Sequence, residues 1–484
     1  MSSDKDKHFD IRNAQLRRDT IGLSHIVFFV VAAAAPMTSV IGATPAAFAL
    51  GNGAGVPGAF ILAGILYLIF SIGYTTLAKY VKGAGAFYTY IAQGMGKPAG
   101  VAGALIAIMT YFTLQIAIYT LFGIYASAAA ATMGVTIPWW VWAFGVLAIV
   151  ALCGRRNIES SGQILGICMI AEIAILLILD IFIVIHAGHG SAPKLGLAGF
   201  YPSEVFSRGL GVTLVFVFSS FIGFEATAIF GEEAKKPERT IPRATYIAVT
   251  IIMVFYAFTS WAVVQYYGPG PIRSIATHSM NTFYFNVAQA LIGPWSVDVM
   301  NLLMLTSMFA SLLSAHNTIN RYFFALAREG LAWRFMARVH TKHGSPHLAG
   351  LTQILLVIAI IALFVIIHAD PYTVVFSWLA AIAILGIIAV QVLVSLAVIV
   401  YFRRDHHNCS LFSTLIAPVI AAAGLTGAFI LVASNMSLLT GSTSPLAKLL
   451  PLIIFIIGFV GVFFALRVRR NRPEIYARLG ESIS

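Results

Sequence analysis

The feature that most constrains this chain is a succession of apolar runs, each about 18 to 30 residues long and without the two-residue alternation of a half-buried strand. Runs of that length cross a hydrocarbon core of roughly 30 Å as helices and are far too long for barrel strands. In lipid every backbone amide must be satisfied within its own segment or within a closed barrel, so such runs fold as transmembrane helices. Composition agrees. Of 484 residues, 59% are hydrophobic and 10% charged, where a soluble domain carries roughly 25% charged residues. The expected fold class is an all-α membrane protein of about 12 transmembrane helices.

Hydropathy places these spans at 23–49, 58–78, 99–128, 137–153, 162–186, 210–230, 244–267, 296–320, 350–368, 372–401, 411–433 and 449–467, called helices 1 to 12 below. Gly51–Pro57 reads as a short turn between helices 1 and 2. With a cytoplasmic N-terminus, 26 of the 30 Lys and Arg residues fall on cytoplasmic segments, and only Lys194, Arg208, Arg273 and Lys448 fall outside. A wrong helix count would scramble that alternation, so a multi-pass protein of the cytoplasmic (inner) membrane with both termini cytoplasmic is expected. The net charge of +12 is then a topology signal, and no nucleic-acid partner is expected. Cys153, Cys168 and Cys409 form no pair at metal or redox spacing, so neither a disulfide framework nor a metal site is expected. The N-terminus carries Asp4, Asp6 and Asp10 among its basic residues, with no small-residue cleavage site soon after the first apolar run. It does not read as a removable signal peptide.

Two spans carry breakers. Helix 1 contains Ala35-Pro36-Met37-Thr38-Ser39 and helix 6 contains Ser219-Ser220-Phe221-Ile222-Gly223. The two lie five helices apart, and because five is odd, consecutive five-helix units enter the membrane from opposite sides. That is the geometry of an inverted-repeat transporter, with its binding site where two broken helices meet. The expected organisation is an N-terminal tail at 1–22, five-helix units at 23–190 and 191–405, helices 11 and 12 at 406–467, and a C-terminal tail at 468–484. Taken singly, Pro36 could be an ordinary kink and Gly223 a packing glycine. A proline removes a donor and a glycine frees the backbone, and here each sits beside small hydroxyl residues. A broken helix presents amides at the start of its second half and carbonyls at the end of its first. Two such breaks offer donors for a carboxylate and acceptors for an ammonium, a clamp for an amino acid that needs no charged side chain.

Glu172 and Asp180 on helix 5 and Glu225 on helix 6 are the ionisable residues within the predicted spans. Such groups are costly in lipid and are functional candidates by default. Burial disfavours their ionised form, which suits a proton carrier, and Glu225 and Glu172 are the proton-coupling candidates. The competing reading is a protonated carboxyl bridging two helices. His316 and Asn317 on helix 8 read as polar contacts between helices. Catalytic constellations, a P-loop and cofactor-binding motifs are absent from the sequence, so neither an enzyme nor a cofactor is expected.

Several stretches then form a pattern. Phe221-Ile222-Gly223-Phe224-Glu225, followed by Glu232-Glu233-Ala234-Lys235-Lys236-Pro237-Glu238-Arg239-Thr240-Ile241-Pro242-Arg243-Ala244, resembles the helix 6 signature of the amino acid–polyamine–organocation transporter superfamily. Gly83-Ala84-Gly85-Ala86-Phe87-Tyr88-Thr89-Tyr90, with Gly94 and Gly96, is similar to its loop between helices 2 and 3. Asn317, Arg321, Phe324-Ala325, Arg328-Glu329-Gly330 and Ser345-Pro346 are similar to its region after helix 8. The resemblance implies two inverted five-helix units plus two helices, and secondary transport of amino acids across the membrane by alternating access, as a proton symporter or exchanger. A putrescine-like polyamine importer is the alternative. It also implies that the substrate carboxylate meets amides around Thr38, Ser39 and Val40, and that the amino group meets carbonyls near Pro36, Ser219 and Ile222. Phe221 would be an aromatic gate and Gly223 would lie in the same substrate-binding break. Family members tend to carry glycines in the helix 1 break, where this chain has Pro36-Met37-Thr38-Ser39-Val40. Some proton-driven relatives have a lysine at a position similar to Glu172, so their coupling does not transfer directly.

Overall fold

The computed structural model describes residues 21–81, 87–155, 158–187, 195–225, 227, 234–339, 345–404, 409–440 and 445–480. Residues 1–20 of the N-terminal tail, Gly83-Ala84-Gly85-Ala86 and Glu232-Glu233 of the motifs above, and 481–484 lie outside the described residues.

Among the described residues the regular structure is helical, without strands. Nine helices among the described residues are long and apolar enough to cross a membrane, and they coincide with expected helices 2, 3, 5 and 7 to 12. Helix 4 is shorter, at Trp139–Arg155. Helices 1 and 6 are the interrupted ones. Helix 8 is longer than hydropathy indicates, running Pro294–Arg328, because Arg321 is buried and does not end it. Hydropathy also misses three amphipathic or short elements, Phe87–Met95, Ile272–His278 and Phe283–Leu291, which link longer spans. Helices 3 and 10 form the centre of the bundle and pack on each other, as do helices 2 and 7. Helices 9 and 12 lie at the periphery, where Ile366, Phe459 and Phe463 are among their exposed apolar side chains. That is the distribution expected when lipid covers the outside.

The interruptions have local causes. Helix 1 runs Leu23–Ala33, stops where Ala35 takes φ +46°, and resumes through a π-helical turn, Thr38–Ala43, into Thr44–Leu50. An alanine in left-handed backbone is costly by roughly 1–2 kcal/mol, and Pro36 supplies no N–H to continue the ladder. The Ala34 carbonyl, whose helical donor Thr38 N turns instead to Ser307 Oγ, accepts from Ser39 Oγ at 2.8 Å and Tyr256 OH at 3.1 Å. Helix 6 runs Leu210–Ser219 and gives way to turns through Glu225, with Gly223 at φ +114°.

Both ends of the described chain are tied to the bundle. Ile21 pairs with Ala234, and its carbonyl accepts from Lys235 N at 2.9 Å. At the other end the short helix Pro473–Arg478 and the buried Leu479 and Gly480 form a strap across the beginning of helix 3 and the end of helix 8. Gln93 Nε2 donates to Gly480 O at 2.6 Å, and Lys97 Nζ donates to Ala477 O. Gly480 N donates to Glu329 Oε2 at 3.4 Å, and the same carboxylate accepts from Tyr88 OH. The Lys97 ammonium and the Arg469 guanidinium stand 5.6 and 5.8 Å from the centroid of the Tyr476 ring.

Candidate functional site

The two interruptions open onto one cavity of about 230 Å³. Ala34, Thr38 and Ser39 line it from the helix 1 break, and Ser219, Ile222 and Gly223 line it from the helix 6 break. Tyr111 and Leu121 of helix 3, Ser311 and Thr318 of helix 8, and Tyr372 and Phe376 at the start of helix 10 complete the wall. The volume lies below the roughly 300–1,000 Å³ typical of drug-sized ligands and suits a small solute. Ala46, Leu50, Met280 and Leu439 also line it.

Of the residues the sequence singles out, Thr38, Ser39, Ser219, Ile222 and Gly223 therefore share one cavity. Pro36 and Val40 are buried and stand off its wall. Phe221 is also off the wall; its ring packs on Tyr67 with centroids 5.0 Å apart. The aromatic side chains that do face the cavity are Tyr111, Phe216, Tyr372 and Phe376.

Two carboxyls back onto the breaks from behind. Glu225 is 1% exposed, accepts from Tyr111 OH at 2.5 Å through Oε1 and from Gly223 N at 3.0 Å through Oε2. It thereby caps the loosened backbone of its own helix, while its carbonyl accepts from Tyr74 OH at 2.7 Å. Glu172, 2% exposed, reaches from helix 5 to accept from Met37 N at 3.3 Å, the first amide after Pro36. Beside it Ser307 Oγ of helix 8 accepts from Thr38 N at 3.4 Å. An acid at the amino-terminal end of a helix segment is electrostatically favoured. Asp180 stands apart, with Oδ2 accepting from Thr259 Oγ1 at 2.8 Å and Oδ1 buried without a partner. His316 is likewise off the cavity, buried between helices, its ring against Gly154 and Gly350. Among the described residues no cluster of His, Cys, Asp and Glu is arranged to hold a metal.

Sequence reasoning misses Tyr111, Tyr256 and Ser307, which hold the breaks in place from helices 3, 7 and 8. Single hydroxyl residues in apolar spans carry no signal of their own; only the fold brings them to the breaks. Arg321, which the motif after helix 8 includes but hydropathy places one residue beyond that helix, is a buried cation within it.

A polytopic helical bundle whose two interrupted helices share one solute-sized cavity is the architecture of a membrane transporter. The match to known proteins agrees with the geometry. Residues 21–467 match the amino acid permease family, and the chain belongs to it. It is similar to the L-asparagine permease of Streptomyces coelicolor, 24% identical over 72% of this chain and 70% of that protein. It is also similar to the low-affinity putrescine importer of Escherichia coli K12, 23% identical over 60% of this chain and 63% of that one. The vacuolar cationic amino acid transporter 4 of Arabidopsis thaliana is 27% identical over 59% of this chain and 49% of its own length. The chain thus spans between about half and 70% of the length of these relatives.

Proposed function

We propose that the protein is a secondary active transporter of amino acids or related amines in the cytoplasmic membrane, with both termini cytoplasmic. The observation that carries this reading is the cavity shared by the two helix interruptions. The units 23–190 and 191–405 rock about it to expose the solute to one face and then the other, with helices 11 and 12 outside the moving core. Glu225 and Glu172 are the proton-coupling candidates, because each joins an interrupted backbone to a neighbouring helix and a change in its charge would alter that join. Substrate-for-substrate exchange is the alternative mode. Relatives named for an amino acid and for putrescine support this range of substrates.

Uptake into proteoliposomes, across a panel of amino acids and amines with and without an imposed pH gradient, tests the proposal. Saturable uptake of at least one panel member, stimulated by the gradient or by internal substrate, is the expected result. Uptake no greater than in empty liposomes across the panel would sink it.

A further inference from the structure

The strap Pro473–Gly480 is seated on the bundle by side chains as well as by backbone. Leu479 is 1% exposed, Ile475 covers Gly330, and a β-carbon at Gly480 would fall 2.7 Å from that of Ala92. Gln93, Lys97 and Glu329 add hydrogen bonds to its backbone. Chain ends are ordered only where such contacts tie them down. These fall on three elements at once: the helix Phe87–Met95, the start of helix 3 and the end of helix 8. Leu479 is the strap's one fully buried apolar side chain, so the segment can undock while the bundle stays folded.

The helix Phe87–Met95 carries the contact inward. Its Ala92 and Gln93 meet the strap, whereas its Phe87 and Tyr90 rings pack on Tyr74 of helix 2, with centroids 5.8 and 5.5 Å apart. Tyr74 OH in turn donates to the Glu225 carbonyl at the helix 6 interruption. Two hydrogen bonds along this path join the proposed units 23–190 and 191–405: Tyr74 to Glu225, and Tyr88 to Glu329. The Glu329 carboxylate also accepts from Gly480 N, so the docked strap fastens one joint directly. It backs the other through Phe87 and Tyr90. Rocking of the units has to loosen both joints. We propose that the strap is an autoinhibitory brake, which when docked holds the two units together beside the helix 6 interruption and slows transport. The inference rests on the transport reading and adds its regulation.

The test locks and frees the strap in the full-length chain. With Cys153, Cys168 and Cys409 replaced by serine, Ala92→Cys and Gly480→Cys together bring two thiols face to face. A small outward shift gives their β-carbons the spacing of roughly 3.5–4.5 Å that a disulfide needs. Oxidised and reduced samples are reconstituted separately, and initial uptake of radiolabelled alanine, asparagine, lysine and putrescine is measured. For the solute that the reduced protein carries fastest, oxidation should slow uptake at least fivefold, and reduction should restore it. Neither single-cysteine variant should respond to oxidation. Leu479→Asp, which undocks the strap without any cross-link, should raise the initial rate at least twofold. A cross-linked protein as fast as its reduced form, or a folded Leu479→Asp protein no faster than the unaltered one, overturns the brake and leaves transport standing. Absence of uptake by the unaltered protein across the four solutes overturns the transport reading and the brake with it.

Discussion

Tyr111 on the cavity wall donates a 2.5 Å hydrogen bond to Glu225, which lies behind it and also caps Gly223 N. The hydroxyl is therefore the contact through which a carboxyl kept out of the cavity can respond to what occupies it. Glu225→Gln preserves shape and hydrogen bonding but cannot change charge. It should retain substrate binding and lose the acceleration of uptake by an inward proton gradient, while exchange survives better than net uptake. Tyr111→Phe should weaken the same stimulation less completely. Gradient stimulation at the unaltered level in Glu225→Gln moves the coupling role to Glu172, where Glu172→Gln is the parallel measurement.

Gly223 sits at φ +114°, in backbone that a β-branched residue resists, and its Cα borders the cavity. Gly223→Val should abolish uptake by closing the space and redirecting the helix 6 amide away from Glu225. The check is uptake per folded molecule, with expression and size-exclusion behaviour as controls. Near-normal uptake would reduce the residue to a packing glycine.

Gly94 lies against the backbone of Ala397 in helix 10, where an added Cβ would overlap the Ala397 carbonyl. Overpacking of this kind costs about 1–3 kcal/mol. Gly94→Ala should lower the thermal midpoint in detergent by several degrees, a loss that substrate does not restore to the unaltered value. An unchanged midpoint would mean that the helix Phe87–Met95 can shift without cost.

Glu329 has its carboxyl pushed up to about 7, first by burial under the C-terminal strap and its neighbours, against the opposing pull of the Tyr88 and Gly480 hydrogen bonds and of Arg328 and Lys97. A raised pKa means that the docked state binds the proton more tightly than the undocked one. The strap is therefore held best at low pH, and that contribution fades as pH rises through about 7. In a protein freed of its other cysteines, labelling of Leu479→Cys by a maleimide should quicken severalfold from pH 6 to pH 8, after correction for thiol ionisation. Glu329→Gln should flatten that dependence. A corrected rate that does not vary with pH counts against the linkage.

Much of this molecule was legible because lipid leaves so few options. Run length and the distribution of Lys and Arg are enough to expect twelve spans, and Pro36 and Gly223 mark where two of them stop. The breaks were readable because proline and glycine act on the backbone of their own helix. Tyr111, Tyr256 and Ser307 were not, since their importance comes from distant segments: Ser307 reaches Thr38 N from 269 residues away. Ala35 was unreadable for a different reason. Alanine is the best helix former, and only the surrounding packing forces it to φ +46°. Gly94 belongs to the family pattern, and its reason is visible only in the approach of helix 10. Phe87–Met95 escaped hydropathy because its tyrosines and Gln93 dilute the apolar signal over nine residues.

The strap formed by Pro473–Gly480 is made after everything it touches. A ribosome delivers these residues only once helix 3, the helix Phe87–Met95 and the end of helix 8 have already been synthesised. Until then Tyr88 and Glu329 lack the Gly480 contact, and the seat of Leu479 is open to water. The joint between the first and second halves of the chain is thus completed by its latest-made described segment. A chain that stops short of Pro473 leaves that seat unfilled on the surface of the bundle.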